Sequence, residues 1–172
     1  MAAQKNHQTN RQSQTGRPQM PPSYGLQPSG DGASLIPWSW VSERMAASRN
    51  YWICTTRPDG RPHVAPVWGV WLDEALYFGS DRQSRKAKNI AANPTVVIHL
   101  ESGDEVVIIE GDAKLENTPD VLARLYEAYA AKYQINLAEA GSDAPIFAVR
   151  PRVALAWVES DFPNTATRWQ FD

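Results

Sequence analysis

From residue 50 onward, apolar and polar positions alternate in short runs separated by turn residues. Tyr51 to Thr56 reads as a strand, and Arg57-Pro58-Asp59-Gly60 as the turn that reverses it. Proline sets one dihedral of such a turn and glycine supplies the positive one. Arg61 to Leu72 returns as a second strand. Its prolines, Pro62 and Pro66, have no N–H for a ladder, so they imply an edge, a bulge or a position facing a ligand. Leu72 to Ala75 turns into a third strand, Ala75 to Ser80, and a basic segment follows as far as Asn93-Pro94. Thr95 to Glu101 is a fourth strand, and Ser102-Gly103-Asp104 a turn. Glu105 to Glu116 is a fifth. In it Ile109, Gly111, Ala113 and Leu115 alternate with Glu110, Asp112, Lys114 and Glu116, so one face is wet. Ile146 to Val149 and Val153 to Val158 are the last strands, separated at Pro151.

Helical spacing appears in three places. Leu35, Ile36, Trp38, Trp40, Val41 and Met45 give a lead-in and a short helix, with Ser39 or Ser42 as caps and Pro37 at or before the first turn. This helix either plugs a barrel end or packs over a ligand edge. The basic segment is a second short helix, with Ser84 as its cap and Asn93-Pro94 as its stop. Thr118 caps a third, with Pro119 at its first position. Leu122, Leu125, Tyr126 and Tyr129 form its stripe as far as Lys132. Residues 136–143 read as a loop. Five strands holding one short helix, then a helix, then two strands, favour a closed antiparallel barrel over a parallel sheet. The fold class is mainly β.

Composition narrows the picture. Residues 1–33 are rich in Gln, Asn, Ser, Pro and Gly and nearly lack large apolar side chains, so they read as a disordered tail before a domain spanning 34–172. The tail's bases are Lys5, Arg11 and Arg17 and its acid is Asp31, a balance compatible with a transit peptide or a plain tail. The rest of the chain has 14 bases against 18 acids. That argues against nucleic acid as a partner. No apolar run has the length of a membrane span, and the expected location is cytoplasmic. The lone Cys54 excludes an intrachain disulfide and a cysteine-cluster metal site, and reads as a small buried hydrophobe. No histidine–carboxylate spacing supports a metal. Seven tryptophans suit a core beside a planar ligand, or simply a core.

The candidate chemistry centres on Ser84-Arg85-Lys86-Ala87-Lys88-Asn89-Ile90. Three bases fall at the helix end that already carries partial positive charge. Either they point to water, or they and the free N–H groups hold an anion, of which phosphate is the natural case. Ser80, Arg85 and Lys86 would form the anchor, with Asn89 one turn on. His63 is a ring or acid–base contact or a structural residue. Arg168 and Trp169, near the end, are an anion ligand and a ring cover or a terminal anchor.

Tyr77-Phe78-Gly79-Ser80, Ser84-Arg85-Lys86-Ala87, Ile90 and Asn93-Pro94-Thr95-Val96 resemble the flavin phosphate-binding segment of the pyridoxamine 5'-phosphate oxidase-like split-barrel proteins. The resemblance covers roughly Asn50 to Val158. It implies a split antiparallel β-barrel, a homodimer with the cofactor at its interface, and FMN or the deazaflavin coenzyme F-420 as cofactor. It also implies that His63, Val64, Pro66, Val67 and Trp68 run along the ring and that Phe78, Gly79, Ser80, Ser84, Arg85, Lys86 and Asn89 hold the phosphate side. The C-terminal Arg168 and Trp169 would close on it. The implied activity is hydride transfer to or from a small unsaturated or quinone-like molecule, the cofactor doing the chemistry, with no catalytic side chain assigned. A non-catalytic flavin or haem carrier is the alternative. A true pyridoxamine 5'-phosphate oxidase is disfavoured, because such enzymes carry a C-terminal histidine and this chain has none after His99.

Overall fold

The computed structural model describes residues 13–28, 34–135 and 144–172. In chain order its elements are β1 (Ser13–Gly16), α1 (Trp38–Ala47), β2 (Asn50–Thr56), β3 (Pro62–Trp68), β4 (Val70–Leu72), β5 (Ala75–Gly79), α2 (Arg85–Ala92), β6 (Thr95–His99), β7 (Glu105–Leu115), α3 (Pro119–Tyr133), β8 (Ile146–Val158), α4 (Phe162–Thr165) and β9 (Thr167–Phe171). All pairings are antiparallel. The main path runs β1-β9-β8-β7-β6-β2-β3, and β4 joins through β5 to β8.

The long strand β8 organises this sheet. One edge pairs with β7 along its whole length. The other edge takes β5 at residues 146–149 and β9 at residues 153–156. The sheet therefore divides into two directions along one strand, which makes the barrel split. The expected break at Pro151 is absent, and residues 146–158 form one strand. The missing N–H is absorbed by a shift of register at Glu110/Gly111, where Gly111 faces Pro151 and Glu110 faces Val153. Gly111 is required there: a Cβ would lie 2.4 Å from the Arg150 carbonyl oxygen.

Inward positions of the strands supply the core, with Ile53, Ile98, Ile109 and Val149 fully buried. Helix α1 closes one end of it through Val41 and Met45. Its Trp38 meets Trp71, Trp169 and Phe171 edge-on at 6.4, 5.5 and 4.8 Å. The helix thus plugs the barrel. Its N-cap is Pro37, with no side-chain cap bond; Ser39 and Ser42 lie inside the helix rather than capping it. A smaller cluster forms where α3 lays Leu125 and Tyr133 on Val70, Ala75, Tyr77 and Ala148.

Three further expectations differ from the structure. The second strand divides at Gly69 into β3 and β4, and glycine is required at this point because a Cβ would come within 2.7 Å of the Tyr77 carbonyl oxygen. Cys54 is half-buried, since it shares the outward face of β2 with Trp52. The described part of the tail is not disordered: Ser13–Gly16 pairs with β9, and Arg17 donates to the Ala166 and Gln27 carbonyls at 2.8 and 3.0 Å. Backbone pairing and one arginine hold it, so its composition carried no apolar signal. The loop expected at 136–143 lies outside the described residues.

The last turn of α3 is tied to the barrel by a half-buried lysine. Lys132 Nζ donates to the Tyr51 hydroxyl at 2.8 Å and to the Gly69 carbonyl at 3.0 Å, and no carboxylate pairs with it among the described residues. Burial pushes its ammonium down to about 8. The unfolded chain, with lysine near 10.4, binds more protons above that value. Stability from this group therefore rises between pH 8 and 10. The rise ends where tyrosine titrates, because burial raises the Tyr51 phenol and works in the opposite direction above pH 10. Subtracting Lys132→Met urea midpoints from wild-type ones over pH 7–10 should give a difference that climbs with pH. A flat difference would show the ammonium to be fully solvated.

Candidate functional site

The start of α2 is built by serine and aspartate side chains. Ser84 Oγ accepts from the Ala87 N–H at 3.2 Å and lies 2.7 Å from Ser80 Oγ. The Gln83 N–H donates to Asp81 Oδ1 at 2.6 Å. Ala87, Asn89 and Ile90 turn inward, which leaves Arg85, Lys86 and Lys88 off the core face. No acid occupies the first turn to oppose them. Cations at this end of a helix are unfavourable unless an anion joins them.

Strand β3 and the turn that leads into it bring two more basic groups, His63 and Arg57, to the same place. It is an edge strand, paired with β2 alone on the main path. The Arg57 N–H donates to Arg61 O at 2.9 Å, so alternate pairs back from the turn are the hydrogen-bonded ones. Pro62 and Pro66 then occupy the other class, where their missing N–H faces the open edge. His63 is held below the ordinary imidazole range, first by desolvation and then by the charges of Arg57, Lys86 and Arg85. The charges of all three cations therefore reach one imidazole. Arg57 Nε is buried with no hydrogen-bond partner. Among the described residues no carboxylate forms an ion pair with Arg57, Arg85 or Lys86. Arg57 also feels the charge of Asp59, though without an ion pair to it; three cations about one imidazole, one of them with an orphaned buried donor, are suited to an anion.

A cleft of about 180 Å³ adjoins this cluster through Lys86. Pro66, Val67, Trp68 and Gly79 line it from the sheet, Tyr126 and Tyr129 from α3, and Ala144 and Ile146 from the start of β8. Trp68 is 40 % exposed and stacks on Tyr133 at 5.0 Å and 11°. Among the described residues no carboxylate lines the cleft. The arrangement offers an anion seat beside a wall of proline, aromatic rings and glycine, which suits a planar anionic molecule.

The structure gathers some of the residues singled out in the sequence and separates others. Pro66, Val67, Trp68, Gly79 and Lys86 share the cleft, and His63 and Arg85 share the cation cluster. Ser80 and Ser84 shape the helix start, and Val64 is half-exposed on the outer face of β3. Phe78 is a core residue stacked on Phe147 at 5.5 Å. Asn89 is fully buried and donates to Thr55. Trp169 is fully buried against Trp38, so its ring is core and cannot cover a ligand. Arg168 lies on β9, where its Nη1 donates to Gln170 Oε1 at 3.1 Å, and does not line the cleft. The sequence reading missed Arg57, which looked like a turn residue, and Tyr126 and Tyr129, which looked like a packing stripe. Among the described residues no group of three or more metal-binding side chains occurs, and no helix is long and apolar enough to cross a membrane.

Comparison with known proteins agrees with this architecture. Among solved structures, the conserved hypothetical protein Rv2991 from Mycobacterium tuberculosis superimposes with a TM-score of 0.65 at 21% identity, covering 76% of this chain and 89% of that one. The haem storage protein HutZ from Vibrio cholerae gives 0.56 at 17% identity, with 66% and 88% covered. An F420 reductase gives 0.51 at 29% identity, with 65% and 94% covered. No curated protein sequence matches significantly. Residues 41–162 match the family described as Pyridoxamine 5'-phosphate oxidase. That match takes in β2 to β8, the cation cluster and all of the cleft, and the chain belongs to the pyridoxamine 5'-phosphate oxidase family.

Proposed function

We propose that this protein is an oxidoreductase that binds a phosphate-bearing isoalloxazine-type cofactor, FMN or the deazaflavin coenzyme F-420. The observation that carries the reading is the group of three cations, Arg57, Arg85 and Lys86, gathered about His63 and reaching the cleft through Lys86. Arg57, Arg85 and Lys86 hold the phosphate, and the α2 N-terminus adds its dipole. Pro66, Trp68 and Gly79 lie against the ring, and the two tyrosines of α3 close the side away from the sheet. Bound there, the cofactor supplies hydride transfer with a small unsaturated or quinone-like substrate. The chain's own task is to bind, orient and exclude water. A haem carrier is the less supported reading, because no histidine among the described residues lines the cleft. The test is anaerobic turnover: reduced FMN or reduced F-420 mixed with menadione, which takes the hydride, should regain its visible absorbance faster with protein than without. Rates equal to buffer with both cofactors would leave a binding protein only.

The same reading places the cleft at the margin of a homodimer. A cleft of about 180 Å³ is smaller than the roughly 300–1,000 Å³ of ordinary ligand pockets, so a second surface must complete it. The outward positions of the sheet, where an open face would be polar, are largely apolar over β3, β2 and β6. Pro66, Trp52, His99 and Ile108 fall on one row, and Val64, Cys54, Val97 and Glu110 on the next. Pro66 and Trp68 belong both to this face and to the cleft. A two-fold contact across it would create two equivalent sites. Trp52→Glu, which puts a charge in the middle of that face, should halve the mass seen by sedimentation and weaken cofactor binding with it. A wild-type protein sedimenting as a monomer at micromolar concentration would remove the dimer from the account.

A further inference from the structure

The histidine of the cation cluster is held from behind by two buried, uncharged side chains. Asn89 of α2 is fully buried, and its Nδ2 donates to Thr55 Oγ1 at 2.9 Å. Thr55 of β2 is 4% exposed and sits opposite His63 in the register of β3. Its Oγ1 lies 3.3 Å from His63 Nδ1 and 3.4 Å from the His63 carbonyl oxygen. The pair belongs to the hydrogen-bonded class of the ladder, so that carbonyl already receives the Thr55 amide. The hydroxyl oxygen accepts from Asn89, and of the two acceptors in reach of its single proton Nδ1 is the nearer and the one not already bonded. His63 Nε2 has no partner among the described residues.

We infer that Asn89 and Thr55 are positioning residues: they fix His63 as the tautomer with its proton on Nε2, so that the ring donates to an anionic phosphate oxygen held by Arg57, Arg85 and Lys86. The inference rests on the phosphate site proposed above. Two observations support it. His63 is held neutral by desolvation and by its three cationic neighbours, so at neutral pH its tautomer decides whether Nε2 donates or accepts. Asn89 Oδ1 is buried with no partner, a cost that an apolar residue at the same place would avoid. A fully buried amide that serves one threonine hydroxyl is explained by what that hydroxyl does.

The test uses the full chain, labelled with nitrogen-15, and reads the imidazole shifts of His63 near pH 7.5 with and without inorganic phosphate. The wild type should show the Nε2–H form, and phosphate should move that nitrogen. Thr55→Val should give mixed tautomers and bind phosphate roughly three- to tenfold more weakly, the loss of about one hydrogen bond. Thr55→Ser, which keeps the hydroxyl, should restore both. A wild-type Nδ1–H form, or a Thr55→Val protein with unchanged tautomer and affinity, overturns the inference. If the tautomer responds to Thr55 as stated but no protein binds phosphate, the positioning by Thr55 stands. The phosphate site, and with it the Nε2 donation, then falls.

Discussion

Lys86→Ala is expected to weaken binding of the phosphate-bearing cofactor by about ten- to a hundredfold, the loss of one hydrogen bond to a charged group. Lys86 is the residue common to the cation cluster and the cleft. It is half-buried and has no carboxylate partner among the described residues, so its removal leaves no protein group unpaired. Melting temperature should therefore stay within a few degrees while affinity collapses, and raised salt should shrink the difference between variant and wild type. Equal affinities at low salt would mean that the bases of α2 only face water.

Trp169→Ala should do the reverse. Deleting a fully buried tryptophan costs about 3–5 kcal/mol, a large share of the roughly 5–15 kcal/mol of a typical domain. Trp169 meets Trp38 at 5.5 Å and lies across from Ala154 and Thr15, so its loss loosens α1, β8 and β1 together. Urea midpoints should fall accordingly. The milder Trp169→Phe should stay folded and bind cofactor as the wild type does, since the ring is far inside the core. A loss of affinity in Trp169→Phe without loss of stability would return this residue to the site.

The contrast between these two residues shows what could be read in the sequence. Strand β7 was legible because one face is buried and the other wet, which leaves a period of two, and β2 and β6 were legible as short apolar runs between turn residues. The same period was present in Thr167, Trp169 and Phe171, all buried in β9, but one short run beside polar neighbours resembled a tail. Its docking depends on β8 continuing past Pro151, and that depends on a bulge formed by Gly111 on another strand. Strand β1 has no apolar pattern at all; it is held by ladder bonds and Arg17. In the site, Ser84 and Lys86 were visible because capping and charge are local. Arg57 was not, because only the pairing of β2 with β3 brings the turn toward α2. Asn89 had the right spacing for the anion but the wrong helix face, since the positions flanking it in the inward stripe, Ala87 and Ile90, are core.

The central claim is that a phosphate group is held by Arg57, Arg85 and Lys86. It is tested most directly by titrating the purified protein with FMN, riboflavin, coenzyme F-420 and the dephosphorylated deazaflavin, following ligand and tryptophan fluorescence. The account predicts that FMN or F-420 binds and that its counterpart without phosphate binds far more weakly. Equal affinity for the cofactor that binds and its counterpart without phosphate, or no binding of any of the four, would contradict it.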